Sequence, residues 1–142
     1  MLCTFGAILT FAIELEQNTI QTYTRAATEC PSGPERDVLE KLERQALKRK
    51  ELLERTRREG IVEMSLEPIV GLNREKYVSN NPVFERGSLE QFLKTAVETE
   101  LRAQEFYSDS AANLTVPEVA RVFLKLAKER AEQASTLRSA MG

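Results

Sequence analysis

Apolar residues recur along four stretches of this chain at the 3.6-residue spacing of a helix with one buried face. These stretches predict helices over about residues 4–28, 34–59, 89–113 and 116–141. Pro31, Gly33 and Pro34 separate the first helix from the second. Because all four stretches are helical and the length fits one domain, the sequence predicts an all-α fold in which residues 1–142 form a single domain.

The segment between the second and third predicted helices, residues 61–87, has no convincing helical period. It contains Pro68, Gly71 and Pro82 and is too long for a tight turn. The other two connections are short and should join antiparallel neighbours, whereas this one can run the length of a bundle. The chain is therefore predicted to be a four-helix bundle with one long crossover between helices two and three.

The second helix pair repeats the first. When the sequence is shifted by 84 residues, Glu16 falls on Glu100 and Tyr23 on Tyr107. Several apolar positions also coincide without a gap, among them Val38 with Val122, Leu42 with Leu126 and Leu53 with Leu137. A repeat of this kind indicates that one helix pair has been used twice.

The predicted buried face of each helix is apolar except near its middle. Glu16 and Glu100 interrupt the first and third helices, and Arg49 and Arg130 interrupt the second and fourth, with Gln133 one turn after Arg130. Seven residues make nearly two helical turns, so Tyr23 shares a face with Glu16 and Tyr107 with Glu100. The sequence thus predicts one charged layer within an apolar bundle.

The Glu-x6-Tyr pattern on helices one and three resembles the rubrerythrin branch of the ferritin-like proteins. It occurs in the contexts Glu14-Leu15-Glu16 and Glu100 to Tyr107, and the frame of Leu126-Ala127 and Leu137 and the crossover from Gly71 to Tyr77 fit as well. The resemblance covers nearly the whole chain. It implies a ferritin-like four-helix bundle whose relatives bind two irons through two single glutamates and two Glu-x-x-His motifs.

The ligand set of that family is mostly missing from this chain. Glu16 and Glu100 match the single glutamates, but the Glu-x-x-His motifs fall on Ala46 with Arg49 and on Arg130 with Gln133. The chain contains no histidine at all. The resemblance therefore implies the fold of a di-iron protein with a degenerate site, and we predict no catalytic residue, no metal and no cofactor.

Two inward-facing glutamates need a counter-charge, since a buried carboxylate without one is protonated or destabilising. The layer of Glu16, Glu100, Arg49 and Arg130 sums to zero charge. We therefore predict a metal-free ion-pair cluster, with hydrogen bonds from the tyrosines beside it. One alternative is that one or both arginines extend to solvent and the glutamates are merely polar core residues. Another is that Glu16, Glu100 and a neighbour such as Glu129 retain some metal binding.

Composition and charge narrow the remaining possibilities. The net charge of −2 gives no general attraction to nucleic acid, and the basic residues at 48–50 and 55–58 alternate with glutamates, as on a solvated helix face. Cys3 and Cys30 suit free thiols in the cytoplasm. The apolar-leaning run from Leu2 to Ile13 is too short to span a membrane.

These observations favour a non-catalytic structural or interaction protein. A homodimer is expected, because the apolar side chains of the second helix and the crossover exceed what one buried face needs; they are Leu47, Leu52, Leu53, Ile69, Val70, Leu72 and Tyr77. One alternative is an oxidoreductase or peroxidase of the di-iron type with an unconventional metal site. Another is a protein that binds a small molecule in the bundle interior.

Overall fold

The protein folds as a four-helix bundle. The structure is a computed structural model and describes residues 2–64, 68–78, 82 and 89–140. The helices are α1 (Phe5–Glu29), α2 (Pro34–Met64), α3 (Leu89–Asn113) and α4 (Pro117–Ala140). The helix α1 packs chiefly on α2, and α3 packs chiefly on α4. The predicted all-α bundle of two helix pairs with a long connection between them is confirmed.

The helix ends follow local chemistry. The helix α1 begins after Thr4, whose hydroxyl accepts a hydrogen bond of 3.1 Å from the backbone N–H of Ala7. The helix α2 continues past Gly60 to Met64, so its predicted end at Glu59 is wrong. An interior glycine costs a helix only about 1 kcal/mol, which is too little to stop one that already has tertiary support.

Two short strands were not predicted. The strand β1 (Leu2–Thr4) pairs antiparallel with β2 (Pro68–Leu72), with Leu2 opposite Leu72 and Thr4 opposite Pro68. The strand β1 ends at Thr4, where the first helix was predicted to begin, and β2 lies in the predicted crossover. Because their pairing joins residues far apart in the chain, the helical period of either segment alone could not reveal it. Of the predicted crossover, residues 65–67, 79–81 and 83–87 lie outside the described residues.

The core consists of two apolar clusters separated along the helices by the charged layer. The first cluster joins the start of α1 to the end of α3 and includes Phe5, Leu9, Phe106 and Phe123. The second joins the end of α1 to the start of α3 and contains, among others, Tyr23, Leu39, Leu42, Phe92, Leu93 and Leu137. Burying each large apolar side chain contributes about 1.5–3 kcal/mol before entropy is counted. The charged residues are therefore enclosed by apolar material at both ends.

The crossover is held against α1 and α3 by polar contacts. The Tyr77 hydroxyl donates to Asp109 at 2.6 Å, and its ring lies edge-on to Phe106 with centroids 5.3 Å apart. Arg74 reaches Glu14 at 3.2 Å, and Arg102 donates to the backbone oxygen of Val78 at 3.0 Å. These contacts place residues 74–78 over the seam between α1 and α3.

Much of the surface from which a homodimer was predicted is buried within the chain itself. Leu53, Leu72 and Tyr77 are all core residues, so they need no second copy to cover them. Leu47 is 46% exposed, and the side chains of Ile69 and Val70 lie outside the described residues. Cys30 is a buried free thiol. None of the helices in the described residues combines the length and apolar character needed to cross a bilayer.

Candidate functional site: a buried charged cluster

Two glutamates stand inside the bundle at the middle of their helices. Glu16 on α1 and Glu100 on α3 are completely buried, at 0% exposure each. Each lies on the helix face that carries the apolar core residues, because Leu9 and Ala12 precede Glu16, and Leu93 and Ala96 precede Glu100, at helical spacing. Carboxylates in such a place must be fully paired, since removing a charge from water costs several kcal/mol.

Arg130 on α4 joins the two carboxylates. Its Nη1 donates to Glu100 at 2.7 Å, and its Nη2 lies 3.0 Å from Glu16. The same Nη2 donates to the Thr19 hydroxyl at 2.9 Å. A guanidinium suits this position because its flat fork can present separate N–H groups to separate acceptors. Arg130 is itself fully buried, so it does not extend to solvent.

Arg49 on α2 makes a second contact with Glu16. Its Nε donates to the Glu16 carboxylate at 2.9 Å. Its Nη1 lies 3.7 Å from a carboxylate oxygen of Glu129, which is within ion-pair range but too long for a hydrogen bond. Arg49 is only 1% exposed, and neither of its terminal nitrogens has a hydrogen-bond partner among the described residues.

The two tyrosines exchange hydrogen bonds between the helix pairs. Tyr23 on α1 donates to Glu100 on α3 at 2.7 Å, and Tyr107 on α3 donates to Glu16 on α1 at 2.5 Å. Both rings are buried. The structure thus brings Glu16, Glu100, Arg130 and both tyrosines together with Arg49, and the predicted buried salt bridges are present.

Ala46 and Gln133, the other two predicted site residues, make no ionic contact with the carboxylates in the described part of the chain. Ala46 is buried and contributes no polar group. Gln133 donates to Gln45 at 2.8 Å, while its own side-chain oxygen has no hydrogen-bond partner among the described residues. The sequence did not identify Thr19 or Gln45 as site residues. Thr19 lies three residues after Glu16 on the same helix face, and that spacing was the available signal.

The charges within the cluster reinforce each other. Burial raises the pKa of the Glu16 carboxyl, but the charges of Arg130 and Arg49 and the hydrogen bonds from Tyr107 and Arg49 outweigh it, so this pKa lies below its usual value. Burial lowers the pKa of Arg130, and the charges of Glu100 and Glu16 more than reverse this. Glu16 and Arg130 therefore stay ionised in the folded protein.

Both tyrosines of the cluster are held in the neutral form. Burial raises the pKa of Tyr23 well above its usual value, and the Glu100 carboxylate raises it further. Burial and the Glu16 carboxylate do the same to the pKa of Tyr107. Each phenol can therefore remain a hydrogen-bond donor at neutral pH, which is the role its position gives it.

The donor set does not suit the pair of irons that the family resemblance implies. A carboxylate must turn lone pairs toward a metal, yet Glu16 and Glu100 accept hydrogen bonds from guanidinium and phenol groups on both of their oxygens. No group of three or more His, Cys, Asp or Glu side chains that could hold a metal ion occurs within the described ranges. Two guanidinium cations already contact these carboxylates, and they would repel a metal ion.

A small cavity reaches the cluster from the seam between α1 and α3. Its volume is about 90 Å³. Leu15, Tyr77, Val78 and Ala103 contribute apolar walls, and the residues of the cluster that line it are Thr19, Tyr23, Glu100 and Arg130. The Nε of Arg130 has no hydrogen-bond partner in the described residues. The cavity is large enough for a few ordered water molecules or a very small ligand.

Comparison with known proteins identifies the architecture and nothing finer. No protein-family model matches the chain, and no curated protein matches its sequence. A solved structure from Thermotoga maritima, provisionally described as a ferritin-like diiron-carboxylate protein, matches with a TM-score of 0.77 and 17% sequence identity. The match covers 96% of this chain and 93% of that one. This likeness, together with the four-helix bundle described above, shows that the chain has the ferritin-like fold.

Proposed function

We propose that this chain is a non-catalytic ferritin-like domain in which a buried ion-pair cluster takes the place of a di-iron site. Its role is structural or interactive, and we assign it to the cytoplasm because two cysteines without a disulfide framework suit a reducing compartment. The observation that carries the proposal is Arg130, whose guanidinium contacts both buried carboxylates. A dication between two carboxylates would occupy the same electrostatic position.

Restoring the missing ligands tests the proposal. The variant Ala46→Glu, Arg49→His, Arg130→Glu and Gln133→His, together with Glu16 and Glu100, has four carboxylates and two imidazoles, the set used by di-iron bundles. Without metal it should be less stable than the wild type, because its carboxylates crowd without counter-charge. Ferrous or cobaltous ion should raise its melting temperature by binding the folded state.

The wild-type protein is the control, and the same ions should leave its melting temperature unchanged. Protein purified without chelator should also carry far less than one iron or manganese per chain by elemental analysis. A folded quadruple variant with no metal-dependent stabilisation would show that these positions do not converge on one metal site. Nearly two metals per wild-type chain, with activity toward oxygen or peroxide, would establish instead the oxidoreductase alternative.

Self-association is part of the proposed role. Leu47 on α2 and Leu124 on α4 are 46% and 54% exposed, and a second copy of the chain could cover them. Sedimentation equilibrium should show a homodimer that Leu47→Glu with Leu124→Glu weakens. A wild-type monomer at high micromolar concentration would remove this part of the proposal and leave the rest intact.

The cavity beside the cluster favours a second candidate function, the binding of a small molecule in the bundle interior. Its polar floor and apolar walls suit a small neutral molecule that accepts a hydrogen bond. Native mass spectrometry of freshly purified protein should then show a retained small molecule. Ala103→Leu, which fills the cavity, should abolish that species. A spectrum of the bare chain would count against this candidate.

A further inference from the structure

A groove on the bundle surface runs between α2 and α4 and is separate from the cavity beside the crossover. Its volume is about 590 Å³. Lys48, Arg55 and Arg58 line it from α2, and Lys125 lines it from α4. All four are exposed, and none of them takes part in an ion pair that the structure shows. Lys48, Arg55 and Arg58, which the sequence assigned to a solvated helix face, thus line one depression.

The groove carries an excess of positive charge. Its four exposed cations are opposed by the carboxylates of Glu51 and Glu129, so four positive and two negative charges leave a balance of +2. Arg49 also lines the groove, but Glu16 already balances its charge within the cluster. The whole chain has a net charge of −2, so the charge of this groove is opposite in sign to that of the chain as a whole. A divalent anion would neutralise it.

Arg49 at the buried side of the groove lacks acceptors. Both of its terminal nitrogens are buried and have no hydrogen-bond partner among the described residues, although its Nε is bound to Glu16. Buried donors in native proteins are nearly always paired, and an unpaired one destabilises the fold. Two adjacent guanidinium nitrogens match two oxygens of a single oxyanion. The groove therefore contains both the unpaired donors of Arg49 and the excess of positive charge.

Glu129 stands beside this guanidinium without satisfying it. Its carboxylate oxygen is 3.7 Å from Nη1 of Arg49, and its side chain is 31% exposed. A carboxylate at this distance attracts the guanidinium of Arg49 electrostatically but forms no hydrogen bond with it. Because it is partly solvated on a helix surface, it can turn outward at little cost.

We propose that this groove binds a divalent oxyanion of the phosphate class. The anion takes the position of the Glu129 carboxylate, accepts hydrogen bonds from the terminal nitrogens of Arg49 and is neutralised by the exposed cations of both helices. Phosphate and phosphomonoesters carry about two negative charges at neutral pH, which matches the charge balance of the groove. This site shares Arg49 with the proposed cluster, but its exposed cations belong to no part of that cluster. Variants of those cations therefore test the groove without changing the cluster.

Titration calorimetry with inorganic phosphate and pyrophosphate at low ionic strength tests the proposal with the full chain. The site variant is Arg55→Gln with Lys125→Gln. The control is Arg57→Gln with Lys128→Gln, which also removes one exposed cation from each helix but none from the groove. The site variant should bind about tenfold more weakly than the wild type, and the control should change affinity by less than about twofold.

Glu129→Gln supplies a test in the opposite direction. Removing the carboxylate that competes for Arg49 should tighten phosphate binding by about three- to tenfold, while the fold and the contacts of Arg49 with Glu16 are retained. Equal losses in the site and control variants would show general attraction rather than a site, and overturn the proposal. So would tighter binding of citrate than of pyrophosphate, binding of duplex DNA alone, or no heat of binding up to about 5 mM phosphate.

Discussion

The two helix pairs of this bundle share a framework but use it differently. Glu16 and Glu100 hold equivalent positions in the repeat, as do Tyr23 and Tyr107, and each tyrosine donates to the glutamate of the other pair. The arginines break the equivalence. The position of Arg130 in the first pair is held by Ala46, and the position of Arg49 in the second pair by Gln133.

The two helix pairs have in common the charge balance of the layer and differ in the placement of its arginines. Each pair contributes one glutamate and one arginine to the layer, so each contribution is neutral, but the two arginines stand one helical turn apart in the repeat. As a result Glu16 is bound by two guanidiniums and Glu100 by one. Thr19, which accepts a hydrogen bond from Arg130, is likewise replaced by Ala103 in the second pair. Both helix pairs thus contribute no net charge to the layer, but their arginines occupy different positions in the repeat.

The largest effect should come from removing the shared arginine. Arg130→Ala leaves Glu100 without a cation from the described part of the chain and should cost about 3–5 kcal/mol of unfolding free energy. Arg49→Ala leaves Glu16 still bound by Arg130 and should cost clearly less. Chemical denaturation measures both, with the exposed Arg57→Ala as control. Equal costs for Arg130→Ala and Arg57→Ala would contradict the central place given to Arg130.

The tyrosines should show a smaller effect of the same asymmetry. Tyr23→Phe and Tyr107→Phe each remove a hydrogen bond to a charged group, worth about 1.5–3 kcal/mol. Tyr23→Phe should be the more costly, because Glu100 has fewer other donors than Glu16. Denaturant midpoints of the two variants decide this. A larger loss for Tyr107→Phe would show that the number of donors does not set the cost.

Moving the arginine tests the repeat itself. Ala46→Arg combined with Arg130→Ala places a guanidinium at the equivalent position of the first pair. We expect it to recover about 1–2 kcal/mol relative to Arg130→Ala alone, because Glu100 regains a neighbouring cation. Recovery should be incomplete, since Ala103 cannot replace the Thr19 hydroxyl, and adding Ala103→Thr should improve it. No recovery by either variant would mean that the two positions do not face the same carboxylates.

Acid should reveal the smallest effect. The pKa of Glu16 is lower in the folded protein than in the unfolded chain. Its ionisation therefore stabilises the fold above the pKa of an unfolded glutamate, about 4.3. This contribution is lost as the pH falls through the lower pKa of the folded protein. The unfolding free energy should therefore fall below about pH 4.3 more steeply in the wild type than in Glu16→Gln. The matched surface variant Glu98→Gln should keep the wild-type slope.

Much of this organisation could be predicted from the sequence because it is periodic. The four helices, the inward direction of Glu16 and Glu100, and the sharing of a face by Glu16 and Tyr23 all follow from the helical repeat. The pairing of β1 with β2 could not be predicted, since it depends on contacts between distant segments. Periodicity also could not show that Gln133 binds Gln45 rather than a carboxylate, because rotamer choice is decided by neighbours on other helices.

The burial of every tyrosine has an optical consequence. The chain contains no tryptophan and three tyrosines. Burial raises the pKa of each of them, with help from Glu100 for Tyr23, from Glu16 for Tyr107 and from Asp109 for Tyr77. In alkaline solution the native bundle should thus lack the red-shifted absorbance of phenolate until it unfolds. Ionisation of the phenols in the unfolded chain also favours unfolding as the pH rises above their unfolded pKa, about 10. The absorbance of Tyr23 and Tyr107, which donate hydrogen bonds to the charged layer, therefore reports without any added label whether that layer is intact.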